Sequence, residues 1–222
     1  MSKRLFALAA LFTLALSSSA YAQKVEVSGI FGWTLSDGVT GQAVLAGDGK
    51  LYDTVDVKDS ASWGFGVGIN TTDNVEVGFL FSQQMSTLAI EGPANVRDIG
   101  DLKINSYHPY VAFNAGDSSS TVRPYFLLGL GATNYGAVSF TSAQGAARET
   151  SSETQFSTTW GAGIKMFPSP NVGLRFGAQW TPTYIKTDSA GYWCDPYWGC
   201  YVVGDAQYSN QFTFNGGVVF RF

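Results

Sequence analysis

The residues Gln211 to Phe222, reading QFTFNGGVVFRF, decide the fold. One parity of this stretch carries four phenylalanines with a glycine and a valine, and the other parity is mainly polar and includes Arg221. Alternation with a period of two predicts a β-strand with one apolar face and one polar face. In a soluble protein the apolar face would need a covering sheet, whereas in a lipid-facing barrel it can belong to the closing strand.

Seven further segments alternate in the same way, and they predict strands at residues 24–34, 61–70, 75–85, 104–114, 123–135, 155–167 and 172–186. The connections alternate between long polar loops (36–60, 86–103, 136–154 and 187–206) and short turns (71–74, 115–121 and 168–171). Long external loops and short periplasmic turns are typical of outer-membrane barrels. The predicted fold is therefore all-β, an eight-stranded antiparallel up-and-down transmembrane β-barrel, whose last strand pairs with the first and leaves no open edge in lipid.

The first 22 residues predict a secretory signal peptide. Lys3 and Arg4 precede an apolar run from Leu5 to Leu16, and Ala20 and Ala22 form a small-x-small cleavage site. The apolar run is shorter than the roughly 20 residues that a membrane-spanning helix needs. We therefore expect cleavage after residue 22, export through the periplasm and a single outer-membrane barrel domain at residues 23–222.

Net charge and cysteine content limit the kinds of partner and of covalent link that the chain supports. Without Lys3 and Arg4 the chain has 11 basic and 17 acidic residues, a formal net charge of −6, which argues against nucleic acid as a partner. Cys194 and Cys200 form an even, closely spaced pair in an exported chain, so we expect a disulfide between them.

The polar parity decides which face points inward. It contains many glycines, which weaken a solvent-facing sheet but make room for larger neighbours inside a narrow barrel. A soluble, lipocalin-like barrel with an apolar interior is the alternative. If the polar parity is internal, its charges must pair with one another. These predicted lumen charges are Glu26, Glu76, Lys165, Arg175 and Arg221.

Aromatic residues mark both ends of the predicted strands, as membrane interfaces favour. The predicted external girdle contains Trp33, Trp63, Tyr107, Trp180 and Tyr184, and the opposite girdle contains Phe113, Phe220 and Phe222.

A resemblance to a known family rests on the signal peptide, the glycine-rich strands, the run VRPYFLLGLGA at residues 122–132 and the terminal Phe222. Together they resemble the small outer-membrane β-barrel family of Gram-negative bacteria, of the OmpA, OmpX and OmpW type. The resemblance covers residues 23 to 222. It implies that Phe220 and Phe222 act as an insertion signal for the barrel assembly machinery. The loop between Cys194 and Cys200 is not a general feature of that family.

Chemistry-bearing residues are sparse. His108 is the single histidine, and a lipid-modifying barrel enzyme would pair it with a serine or a carboxylate; a hydrogen-bonded lumen residue is the alternative. His, Cys and carboxylate residues show no metal-ligand spacing, so we expect no catalytic site, no metal and no cofactor.

The predicted loops offer two external binding candidates. Aromatic residues flank Cys194 and Cys200 within residues 192–201, a pattern that suits either recognition of a surface ligand or packing on the barrel rim. The four long loops carry 13 acidic and 5 basic residues. That excess suits either divalent cations that bridge to lipopolysaccharide phosphates or a solvated, repulsive surface.

The sequence predicts a non-enzymatic outer-membrane barrel with a structural or surface-interaction role, because eight strands fill their lumen with side chains. The expected partners are outer-membrane lipid and lipopolysaccharide. A narrow, porin-like channel or a lateral conduit for small or hydrophobic solutes is the alternative, since the many inward glycines leave space. A lipid-modifying enzyme built on His108 is a third hypothesis.

Overall fold

The computed structural model of the protein describes residues 25–45, 51–117, 120–141, 147–185, 194–195, 199–200 and 207–222; the predicted signal peptide lies outside them. The described residues form fourteen strands: β1 Val25–Ser36, β2 Val39–Leu45, β3 Leu51–Val57, β4 Ser60–Asn70, β5 Val75–Gly92, β6 Asn95–Asn114, β7 Val122–Tyr135, β8 Ser139–Thr141, β9 Ala147–Glu149, β10 Glu153–Met166, β11 Val172–Ile185, β12 Cys194–Asp195, β13 Gly199–Cys200 and β14 Gln207–Arg221.

Eight of these strands close into one antiparallel barrel: β1, β4, β5, β6, β7, β10, β11 and β14. The first and last barrel strands pair along eleven residues, from Ser36 opposite Gln211 to Glu26 opposite Arg221. Pairing of β5 with β6 completes the circle. The predicted eight-stranded antiparallel barrel is confirmed.

Within the described ranges, no helix is long and apolar enough to cross a membrane.

The prediction that residues 86–103 form a loop is wrong. Strands β5 and β6 continue their pairing from Met85 opposite Lys103 to Gly92 opposite Asn95. The pairing continues because inward apolar residues on these strands, among them Leu88, pack into a buried cluster. Outward polar residues such as Asp101 and Lys103 made this alternation difficult to recognise in the sequence.

The other predicted loops also contain strands. Residues 36–60 include the β2–β3 hairpin, and β3 pairs with the extended part of β5 from Thr54 opposite Glu91 to Val57 opposite Leu88. Residues 136–154 include the β8–β9 hairpin, and the described part of residues 187–206 includes the β12–β13 pair. The three predicted short turns remain connections between barrel strands. We call the turn side of the barrel the short-turn end and the opposite side the long-loop end.

The strands separate an apolar outer face from a mostly polar interior. On β14 and at Phe222, the residue after it, one row of side chains is exposed: Phe212, Phe214, Val218, Phe220 and Phe222. Arg221 is buried. Of the outward phenylalanines, Phe31 on β1 is 72% exposed. An outer face of this composition suits contact with lipid rather than with water.

Strand β7 passes through four layers of the interior. From the short-turn end, its inward side chains include Arg123, Leu127, Thr133 and Tyr135, all buried. They belong in turn to a charge layer, an apolar layer, a hydroxyl layer and an apolar cap. The charge layer is Glu26, Glu76, Arg123, Lys165, Arg175 and Arg221, and the hydroxyl layer is Ser106, His108, Thr133 and Ser157. The apolar layer is Ile30, Leu80, Tyr110, Ala112, Tyr125 and Leu127, and the cap is Val57, Leu88, Leu102, Ile104, Tyr135 and Val138.

Candidate functional site

The charge layer is organised around Lys165 on β10. Its Nζ donates a hydrogen bond to Glu26 Oε2 at 2.5 Å and another to Glu76 Oε2. All three side chains are at most 3% exposed. One ammonium group therefore holds together two carboxylates from β1 and β5.

Arg221 binds the Glu26 carboxylate across the seam between the first and last barrel strands. Its Nη2 and Nε donate to Glu26 Oε1 at 3.0 and 3.3 Å. The guanidinium carbon also lies 3.6 Å from the centre of the Phe167 ring, a cation–π contact. The seam that closes the barrel is thus braced from inside by an ion pair.

Arg175 lies apart from that pair. Its Nε donates to the hydroxyl of Tyr125 at 2.9 Å, and its guanidinium carbon is 4.7 Å from the centre of the same ring. Tyr110 in turn donates to Glu76 Oε1 at 2.6 Å. The structure therefore brings four of the five predicted lumen charges into one ion cluster. Arg175 lies beside it on Tyr125, whose ring centre is also 5.7 Å from Lys165 Nζ.

Arg123 is a charge-layer residue that the sequence reasoning did not select. It is completely buried, its Nη1 lies 3.5 Å from Glu26 Oε1, and its Nη2 donates to the carbonyl of Asp73 in a short turn. The sequence contained a signal for this residue, because Arg123 shares the inward parity of Tyr125 on β7. With Arg123, the described charge layer contains four cations and two carboxylates.

Two asparagines, which the sequence reasoning also missed, complete the carboxylate environment. Asn70 donates to Glu26 Oε1 at 3.1 Å, and Asn114 donates to Glu76 Oε2 at 3.3 Å. Each carboxylate therefore accepts hydrogen bonds from both cationic and neutral donors, which offsets the cost of its burial.

The hydroxyl layer lies on the other side of the apolar layer and contains His108. Nε2 of His108 is 2.9 Å from Ser157 Oγ, which accepts a hydrogen bond from Thr133 at 2.9 Å. Thr133 is also 3.1 Å from the hydroxyl of Ser106. These four side chains are at most 5% exposed. They form a sealed hydrogen-bond chain rather than an accessible nucleophile with its base.

Throughout the part of the chain that the structure describes, no group of three or more His, Cys, Asp or Glu side chains could hold a metal ion.

The long-loop end rises above the barrel wall as an extension built from β2, β3 and the outer parts of β5 and β6. Lys58 Nζ and Asp98 Oδ1 form an ion pair at 2.5 Å across it. Partial burial, together with the nearby carboxylates of Asp59 and Asp37, raises the pKa of Asp56 above its ordinary value. The extension is therefore an ordered, charged surface over an apolar cap.

Aromatic residues encircle the wall below that extension. Trp63 contacts Phe81 at a centroid distance of 5.7 Å, and Phe81 contacts Tyr107 at 5.3 Å. On the other side, Trp180 stacks on Phe212 at 6.0 Å. Predicted girdle residues on the outer face that are exposed or half-buried are Trp33, Trp63, Tyr107, Trp180 and Tyr184. Phe113 at the short-turn end is exposed as well.

The two remaining pairs of predicted site residues lie at opposite ends of the barrel. Phe220 and Phe222 face outward at the short-turn end, where the N–H of Phe222 donates to the carbonyl of Val25 at 2.9 Å. Cys194 on β12 and Cys200 on β13 are direct backbone partners at the long-loop end. The aromatic residues at positions 192, 193, 197, 198 and 201 lie outside the described residues.

These features define a class: a membrane-spanning, eight-stranded barrel with a side-chain-filled interior. The model of the outer membrane protein beta-barrel domain family matches residues 6–222, and the chain belongs to this family. Its family places it in the outer membrane.

Solved structures support the same fold. OprG from Pseudomonas aeruginosa is 14% identical, with a TM-score of 0.63, and the match covers 91% of this chain and 97% of OprG. Neisserial surface protein A is 14% identical, with a TM-score of 0.53 and coverages of 89% and 97%. AlkL, determined in DMPC bilayers, is 15% identical, with a TM-score of 0.52 and 93% coverage of both chains. At these identities the likeness shows the fold alone. No curated protein matches the sequence.

Proposed function

We propose that the protein is a closed, non-enzymatic barrel of the outer membrane with a structural or surface-interaction role. The observation that carries this proposal is the filled interior. Arg123 is fully buried and Lys165 is 2% exposed, so the lumen at the short-turn end is occupied by ion-paired side chains. Leu80 and Leu127, at 1% and 2%, fill the next layer.

The geometry of His108 supports a non-enzymatic role. A lipid-modifying enzyme must present its base and nucleophile to lipid, but His108 and Ser157 are each 1% exposed and point into the lumen. Mass spectrometry of lipid A from cells that carry or lack the protein tests this point. An unchanged profile agrees with the proposal, and a modification lost in His108→Ala would contradict it.

The long-loop end is the proposed interaction surface, facing the exterior. The charged extension supports contact with lipopolysaccharide, and the loop at residues 187–206 is the proposed site for a surface ligand. The antiparallel backbone pairing of Cys194 with Cys200 supports a disulfide that staples this loop. Intact-mass analysis with and without reduction, followed by thiol alkylation, tests the staple; two freely alkylated cysteines in non-reduced outer-membrane protein would rule it out.

Export and insertion complete the proposal. Residues 1–22 are the proposed cleaved signal peptide, and a mature protein that begins at Gln23 is the expected result of N-terminal sequencing. Phe220 and Phe222 are the proposed signal for the barrel assembly machinery. Their outward position at the short-turn end, which we assign to the periplasmic side, leaves both rings accessible to that partner during assembly.

A lateral conduit for small or hydrophobic solutes is the second candidate, and one observation favours it. The pairing of β6 with β7 is interrupted between Tyr107 opposite Ala132 and Tyr110 opposite Gly129. Pro109 lies in this gap and has no N–H to donate. A weakened seam at this level could let a solute leave the lumen sideways.

Proteoliposome assays separate the two candidates. A closed barrel predicts that liposomes containing the protein swell in isosmotic sugar no faster than empty liposomes, and that they take up a hydrophobic fluorescent probe no faster. Faster probe uptake without sugar-driven swelling would favour the conduit. Faster swelling would favour a channel and contradict the closed barrel.

A further inference from the structure

His108 is the one titratable imidazole of the chain, and the barrel places it where a charge has no partner. It is 1% exposed, and its Nδ1 has no hydrogen-bond partner within the described residues. Gly131 on β7 makes room for its ring, because a Cβ there would lie 2.9 Å from His108 Cδ2 and would also meet the carbonyl of Tyr107.

The hydrogen-bond chain defines the protonation state that fits. Thr133 donates to Ser157, so the hydrogen of the Ser157 hydroxyl is available for Nε2 of His108. A neutral ring with its hydrogen on Nδ1 accepts the Ser157 hydrogen at Nε2 and leaves only Nδ1–H without a partner. An imidazolium carries hydrogens on both nitrogens, so the Ser157 hydrogen would lose its acceptor, and Nδ1–H would still lack one.

The other titratable or charged groups that face the described lumen do not compensate for such a charge. Tyr110 lies next along β6, and Tyr125 and Tyr135 face inward from β7. The charged groups that face the described lumen all lie in the charge layer: Glu26 on β1, Glu76 on β5, Arg123 on β7, Lys165 on β10, Arg175 on β11 and Arg221 on β14. Both carboxylates there are already bound by cations, and Leu80 and Leu127 separate that layer from the hydroxyl layer.

The His108 ring also lies where two backbone pairs are missing between β6 and β7. His108 and Pro109 occupy the interruption in the β6–β7 pairing, whereas the hydrogen-bond partner of His108 is Ser157 on β10. The bond between Ser106 and Thr133 lies at a backbone pair of the β6–β7 ladder. At the interruption, His108 instead links β6 to Ser157 on β10, and Ser157 accepts from Thr133 on β7.

We propose that protonation of His108 is an acid-sensitive switch that breaks this hydroxyl chain and loosens the β6–β7 seam at residues 107–110 and 129–132. Near neutral pH the seam is held closed by the neutral ring. Below about pH 6.5, the range in which an ordinary histidine titrates, each further fall in pH favours local opening of this seam over its closed form, while the rest of the wall stays paired.

The test uses the full barrel, folded in lipid vesicles, as wild type and as His108→Gln. Glutamine cannot take up the proton, whereas every other side chain is the same in the two proteins and cancels in the comparison. We expect the unfolding equilibrium constant of the wild type, divided by that of the variant, to rise toward about tenfold per pH unit below about pH 6.5. A ratio that stays constant down to about pH 5 would overturn the proposal.

Amide hydrogen exchange locates the opening. Near pH 5, peptides that cover residues 107–110 and 129–132 should exchange faster in the wild type than in His108→Gln, and peptides from the β1–β14 seam should exchange equally. Equal exchange at both seams would contradict a local switch.

A third measurement uses only the wild-type protein, so it does not require that His108→Gln folds. Because the chain has one histidine, selectively labelled wild-type protein gives a single imidazole signal in NMR spectra. We expect the change to the imidazolium signal to coincide with the loss of protection at residues 107–110. Titration of the ring while those amides stay protected would overturn the proposal.

Discussion

Lys165 on β10 and Glu26 on β1 meet at 2.5 Å inside the barrel, although 139 residues separate them in the chain. The two residues can meet only when the wall has closed, because β1 and β10 are not neighbours in the sheet. Since Glu26 also binds Arg221 on β14, the ion cluster ties the closing seam to the far wall. Buried charges in this arrangement stabilise one register of the closed barrel and oppose others.

Replacing Lys165 by methionine should destabilise the barrel by about 3–5 kcal/mol, because Glu26 and Glu76 would lose the cation between them. Urea unfolding of the barrel in vesicles, followed by tryptophan fluorescence, measures the change. Lys103→Met is the matched control, since Lys103 is exposed on β6, and it should change the stability by less than about 0.5 kcal/mol. Equal effects of the two substitutions would show that the cluster does not stabilise the fold.

Gly131→Ala should destabilise the barrel by roughly 1–3 kcal/mol, because the new Cβ would meet the Tyr107 carbonyl and the His108 ring. Gly29→Ala is the matched control. A Cβ at Gly29 has no atom within 4 Å, and this glycine is exposed on the outer face. Denaturation midpoints for both variants check the prediction, and a loss at Gly29 as large as that at Gly131 would argue against the assigned faces.

A lysine on the outer face distinguishes lipid from water as its environment. Val67 on β4 is 40% exposed and lies between the two girdles, whereas Val96 on β6 is 60% exposed in the extension. Val67→Lys should cost about 2–4 kcal/mol of folding free energy in a bilayer. The same substitution at Val96 should be nearly neutral. Comparable costs at both positions would mean that the membrane does not cover Val67.

Phe222→Ala should slow assembly by the purified barrel assembly machinery without an equal loss of unassisted folding in detergent. The reason is that the backbone bonds between Phe222 and Val25 survive the substitution, whereas the aromatic signal does not. Phe31→Ala removes an equally apolar, 72% exposed ring elsewhere and serves as the control. Heat-modifiable gel migration reports the folded fraction. Normal assisted assembly of Phe222→Ala would refute the insertion signal.

Sequence alternation was sufficient to predict the barrel strands and the direction of their faces, because a period of two is a local property. It also placed Glu26, Glu76, Lys165, Arg175 and Arg221 on one parity. It could not predict which charges meet, since contacts such as that of Lys165 with Glu76 depend on the barrel's closure and stagger.

Some residues depart from the simple sequence pattern for physical reasons. Leu80 and Leu127 interrupt the polar parity of their strands, and in three dimensions they join Ile30 in the apolar layer. The extensions of β5 and β6 were assigned to a loop because several of their outward residues, such as Asp101 and Lys103, are polar, although inward residues such as Leu102 kept the alternation. Arg123 was overlooked at the start of its strand despite having the inward parity.

Planar-bilayer recording of the wild-type barrel near neutral pH tests the central claim most directly. A lumen filled by the ion cluster around Lys165 and the apolar layer above it should carry no ions. The account therefore predicts a silent protein, with its insertion verified by heat-modifiable migration of the recovered sample. Reproducible, discrete conductance steps from the folded barrel would contradict it.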